Sequence, residues 1–157
     1  MNEYKALLDE GVLIFRFFDE YVADEADRLM VRVLRSMTID ERYSIKIIIW
    51  DLCDVTSMTL HATDGARVAN SNTQILSLLE RPGKDAIALM RNLELFYLKP
   101  KNELVRDVWV ERLERIKRSN RTLPSVGPAD VENLHDLLKC LGLLKLEPML
   151  VGVWQTI

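Results

Sequence analysis

Residues 45–59 read IKIIIWDLCDVTSMT, a largely apolar, β-branched run to Leu52 followed by Cys53, Asp54 and the hydroxyls Thr56, Ser57 and Thr59. The apolar part is too short for a typical helix. Its lack of alternation is what a strand covered on both faces requires. The spacing therefore predicts a buried central strand from Ile45 to Leu52, whose polar exit hands over to a helix. The rest of the chain can be placed outward from it.

Upstream, YKALLDEGVLIFRFF reads as two strands joined at Asp9-Glu10-Gly11, an opening hairpin with glycine at the turn. Ala26, Leu29, Met30, Val33, Leu34 and Met37 then recur at helical spacing, with Asp24 placed to cap the first turn. Downstream, Leu60 to Leu79 is long enough for a helix and carries a small-residue stripe at Ala62, Ala66, Ala69, Thr73 and Leu76. Asp85 to Met90 reads as a short strand, and NLELFYLKP as the start of the next helix or an irregular lid. Val105, Val108, Trp109, Leu113 and Ile116 trace another helix, capped by Asn102. SNRTLPSVGP has room for one more short strand. A last helix is expected to open at Pro128 or Ala129, run through Leu134, Leu137, Leu138 and Leu141, and stop at Gly142. The resulting order is β-β-α-β-α-β-α-β-α, an α/β fold with a mixed β-sheet. Residues 1–142 form the domain. The apolar tail 143–157 is expected to pack on it or complete an oligomer interface, with Leu150, Val151, Val153 and Trp154 as homodimer candidates.

The 157 residues suit one domain, since domain sizes peak at roughly 100–150 residues. Cys53 and Cys140 are far apart and match no redox or metal spacing, which predicts reduced thiols and a cytoplasmic setting. No apolar run reaches the roughly 20 residues of a membrane span, and the acidic amino terminus is unlike a signal peptide. The net charge of −3 disfavours nucleic acid as a partner. Charge is uneven: residues 1–30 hold eight acids and three bases, residues 99–121 eight bases and four acids. Complementary neighbouring faces account for such asymmetry more simply than a partner surface does.

The order of elements, with GVLIFRF in the hairpin, IKIIIWDLCDV in the central strand, TLHATDGARVA opening the next helix, AIALM followed by LELFY, and ADVENLHDLLKCLGL at the close, resembles the STAS domain. The resemblance covers about residues 4–142 and is to the SpoIIAA-like branch, whose fold is also compared with lipid-binding CRAL-TRIO domains. It implies a regulatory domain acting through protein–protein interaction. In regulatory members a serine at the start of the helix after the central strand is phosphorylated by a partner kinase, and this switches binding. Ser57 and Thr59 are the nearest candidates here, without the usual Asp-Ser-Ser-Gly-like sequence. The lipid-binding comparison adds an apolar ligand as the alternative partner.

Read from the residues themselves, Asp51, Asp54, Thr56, Ser57 and Thr59 stand at the carboxyl end of the central strand, where ligands of open α/β sheets bind. The same residue types also serve caps and turns. His61, Asp64 and Arg67 recur every third residue. They suit a base, its carboxylate and an anion holder, or simply a solvated charge network. The rival reading is a small enzyme at this junction that uses either Cys53 as nucleophile, with His61 beside it, or the His61–Asp64 pair; a buried small hydrophobe is the plainer role for a lone cysteine. Met90, Phe96, Tyr97 and Trp109, with Trp154, are candidates for an apolar pocket, and equally for core. His135 and Cys140 find no further ligand at zinc spacing, and no motif calls for a metal or cofactor.

Overall fold

The structure is a computed structural model that describes residues 2–59, 94–119 and 131–156. The opening hairpin forms as expected: β1 (Glu3–Leu7) and β2 (Val12–Val22) pair antiparallel, with Leu7 opposite Val12. A single 3-10 turn, Leu8–Glu10, joins them and ends at Gly11, whose φ of 70° lies in the left-handed region. A Cβ there would stand 2.7 Å from the Ser44 carbonyl oxygen. The Gly11 carbonyl accepts from the Lys46 and Ile47 amides at 2.7 and 3.0 Å. Glycine is thus needed both for the turn and for its seat against the start of the central strand.

Helix α1 (Ala23–Ser36) buries Ala26, Met30, Val33 and Leu34, the stripe read from the sequence. Its first turn differs from expectation. The helix starts directly from β2 at Val22 with no side-chain cap, so Asp24 lies inside the first turn, where its charge favours the helix dipole. Helix α2 (Ile39–Ser44) opens on a reciprocal capping box. The Thr38 hydroxyl accepts from the Glu41 amide and the Glu41 carboxylate from the Thr38 amide, which holds the Glu41 carboxyl below its ordinary range.

The central strand β3 runs from Ile47 to Thr59, parallel to β2 on one side and to β4 (Glu94–Leu98) on the other. Helix α3 (Glu103–Ser119) follows, with the Asn102 side chain accepting from the Val105 amide as expected. Helix α4 (Leu134–Cys140) begins later than the expected Pro128 or Ala129, because the Asn133 side chain caps it by accepting from the Asp136 amide. The chain then forms a 3-10 segment, Leu144–Leu150, and a two-residue strand β5 (Gln155–Thr156) antiparallel to β1. Strand order is β4-β3-β2-β1-β5.

Both faces of this mixed sheet are covered. Helices α1 and α3 pack on one face against Leu13, Phe15, Phe17, Ile48, Trp50, Leu52 and Leu95. Helix α4 and the tail residue Leu146 pack on the other, against Val12, Ile14, Ile49, Cys53, Phe96 and Leu98. NLELFYLKP is therefore neither a helix start nor a lid. Its residues 94–98 form a strand, with Leu95 committed to one layer and Phe96 and Leu98 to the other. Double coverage removes the alternation that would have marked it. The expected helix 60–79 and strand 85–90 lie outside the described residues, as does the strand suggested near residues 120–128.

Candidate functional site

The predicted hand-over from strand to helix after Leu52 is not where the polar residues stand. Strand β3 continues through all of them, because its partner β2 is itself long: Phe18, Asp19, Glu20, Tyr21 and Val22 pair with Asp54, Val55, Ser57, Met58 and Thr59. Two irregularities hide this in the sequence. Between Asp51 and Asp54 β3 carries one residue more than β2 does between Arg16 and Phe18, and Thr56 is a second extra residue opposite the Asp19–Glu20 step. Each bulge rephases the strand, so Leu52, Val55 and Met58, three residues apart, all turn toward the same apolar layer. Asp19, at φ 57°, supplies the matching distortion in β2, and its carbonyl accepts from the Thr56 hydroxyl at 3.2 Å.

The polar residues divide into a buried group and an exposed row. Asp51 is 7% exposed, the buried charged side chain among the described residues. One carboxylate oxygen accepts from the Cys53 amide at 3.0 Å and the other faces Arg16 Nε at 3.8 Å. Arg16 also lies 3.5 Å from the Glu3 carboxylate, and its guanidinium stacks 3.7 Å from the centre of the Trp154 ring. Asp51 is thus part of a clamp joining β3, β2, β1 and the tail. The Cys53 thiol donates to the Glu132 carbonyl at 3.3 Å. Burial, reinforced by the Asp51 charge, pushes it up to about 12.

In the exposed row stand Asp54, Thr56 and Ser57. The Thr59 hydroxyl donates to Glu20 at 2.9 Å and that of Thr56 to the Asp19 carbonyl, whereas the Ser57 hydroxyl has no hydrogen-bond partner among the described residues. His61, Asp64, Arg67 and Met90 lie outside the described residues. The aromatic candidates separate: Tyr97 and Trp109 meet at a ring distance of 5.3 Å in the layer under α1 and α3, whereas Phe96 packs in the opposite layer. Trp109 is 1% exposed. Phe17, Trp50, Tyr21, Tyr97 and Trp109 form one chain of ring contacts, with the Trp50 indole donating to the Tyr21 hydroxyl. His135 pairs with Glu147 at 2.7 Å, and no group of metal-ligating side chains gathers among the described residues.

Sequence reasoning missed a cleft of about 670 Å³ beside this strand end, lined by Lys99, Pro100, Lys101, Arg106, Val131, Glu132 and Asn133. Cys53 ties its two walls together. Its carbonyl accepts from the Lys101 amide at 3.2 Å, and its thiol holds the Glu132 carbonyl on the far side. The only sequence signal for the cleft was the basic bias that starts at Lys99.

Fold and site together define an α/β domain whose mixed sheet is covered on both faces and whose central strand presents a polar carboxyl half. No family model and no curated protein matches the chain. Among solved structures, the chain is similar to the anti-sigma factor antagonist SpoIIAA in its unphosphorylated form, at 11% identity and a TM-score of 0.49 over 90% of this chain and 98% of that one. That is the branch the sequence resembles; the α/β assignment rests on the sheet itself. No helix among the described residues is long and apolar enough to cross a membrane.

Proposed function

We propose that this protein is a non-enzymatic regulatory domain that acts by contact with a protein partner through the polar half of β3, with Ser57 the hydroxyl open to modification. The observation that carries this reading is the exposed row Asp54, Thr56 and Ser57 on a strand held in register by β2, with the Ser57 hydroxyl left unengaged among the described residues. A rigid strand presents its side chains in fixed positions, which lowers the ordering cost of recognition. Phosphate on Ser57 would stand opposite Glu20 and near Asp54, so modification would add repulsion to an already acidic strip and release or exchange an acid-avoiding partner. Thr59 suits this less well, since its hydroxyl is already bonded to Glu20.

The rival enzyme reading is weakened by Cys53. A thiol pushed up to about 12 and bonded to a carbonyl is protonated at neutral pH and is a poor nucleophile. An apolar ligand against Tyr97 and Trp109 has less support than the partner contact, because those rings already pack on each other. Cytoplasmic residence accompanies the proposal and draws support from two free thiols, one of them exposed.

The test is capture of partners from the native host by the wild-type chain and by T56R/S57R, followed by phosphopeptide mapping. A protein retained by the wild type and lost with the variant is the expected result. Identical capture by both baits would remove the β3 surface, and a Ser57 peptide unmodified in every growth condition would remove the switch.

A further inference from the structure

We infer that the cleft between the end of β4 and the start of α4 binds a small molecule bearing a phosphate group. Among the described residues three cations line it, Lys99, Lys101 and Arg106, against one carboxylate, Glu132. Two of the three have an acidic neighbour, but in long, solvent-exposed ion pairs of the kind that contribute little and that an incoming anion can displace. Asp54 approaches Lys101 at 3.8 Å and Glu103 approaches Arg106 at 4.0 Å, both beyond hydrogen-bond distance, and Lys99 has no ion pair among the described residues. Like charges gathered in one concavity repel one another and focus positive potential into it, a cost that a bound anion relieves. At about 670 Å³ the space falls in the range of small-ligand pockets and exceeds what a bare phosphate fills. Pro100 and Val131 give the remainder an apolar contact, and Asn133 a polar one.

The walls are also fixed in place. Lys99 to Lys101 continue directly from β4, and Cys53 bonds to both Lys101 and Glu132, so the cations do not depend on a loose loop for their spacing. Arginine offers a planar fork and lysine a compact charge, the pairing that phosphate oxygens use. The cleft does not require the partner contact proposed for β3, and either can fail alone.

Titration with inorganic pyrophosphate at constant ionic strength, followed by amide shifts in a ¹⁵N-labelled sample, tests the inference. Saturable shifts are expected at Lys99, Lys101, Val131, Glu132 and Asn133. K99E and R106E should each weaken binding by about tenfold or more, since each replaces a charge-assisted contact with a repulsion. E132Q should tighten it, and K145E, whose lysine pairs with Glu10 away from the cleft, should leave it unchanged. Loss of binding in K145E equal to that in K99E, shifts without saturation, or no shifts would each overturn the proposal. Far-ultraviolet circular dichroism of each variant separates lost binding from lost fold.

Discussion

Asp51 and Cys53, adjacent on one face of β3, show how an active-looking pair serves the structure. Removing the Asp51 carboxylate leaves the Cys53 amide without its acceptor and takes a partner from Arg16, which keeps Glu3. Asp51→Ala is expected to lower stability by about 1–3 kcal/mol. Asp51→Asn, which retains the amide acceptor, should cost less; urea unfolding checks both. Cys53 has its own signature in pH. Its folded value is raised from 9.0 to about 12, so the unfolded chain loses the thiol proton first. The stabilisation is complete below about pH 9 and is lost as pH rises toward 12. Melting temperature should therefore fall more steeply across that window in the wild type than in Cys53→Ala. In the folded protein, a thiol reagent at neutral pH should label exposed Cys140 well before Cys53.

The hairpin, α1 and the cap of α3 were legible as elements in the sequence because their signals are local. Gly11 follows a turn, the Ala26–Leu34 stripe has one period, and Asn102 lies three residues before the amide it caps. Gly11→Ala should destabilise by more than about 1 kcal/mol, from the left-handed backbone alone, with the Ser44 contact adding to it. A reduced urea midpoint at unchanged slope is the readout, and a neutral result would contradict the turn described here. The polar half of β3 was not legible. Leu52, Val55 and Met58 are spaced by three because two bulges rephase the strand, and a three-residue period reads as helix rather than strand. NLELFYLKP was obscured for a different reason: a strand buried on both sides shows no period at all.

At the scale of the molecule, the tail has a seat on its own sheet. Leu146 is fully buried, Trp154 covers Arg16 and donates its indole N–H to the Leu150 carbonyl, and β5 extends the sheet beyond β1. Truncation after Gly142 should thus lower the urea midpoint and raise binding of a hydrophobic dye, by uncovering the layer of Val12, Ile14 and Leu138. A homodimer through the tail stays a proposal, and it falls to Val151 and Val153, at 80% and 91% exposure, rather than to Leu150 and Trp154. Light scattering of V151D/V153D decides it. A halved mass supports the dimer and an unchanged mass removes it, with stability expected within about 0.5 kcal/mol of the wild type either way.

By itself the sequence determined the α/β class, the opening hairpin, a central strand covered on both faces, and the region where polar side chains gather, since apolar periodicity and turn chemistry act between near neighbours. Tertiary structure decided the rest. Pairing with the long β2 carried β3 past Leu52 through Ser57, and the packing of Cys53 between Lys101 and Glu132 assembled a basic cleft from segments far apart in the chain. Such contacts depend on which strands become neighbours, and residue spacing along one chain does not encode that choice.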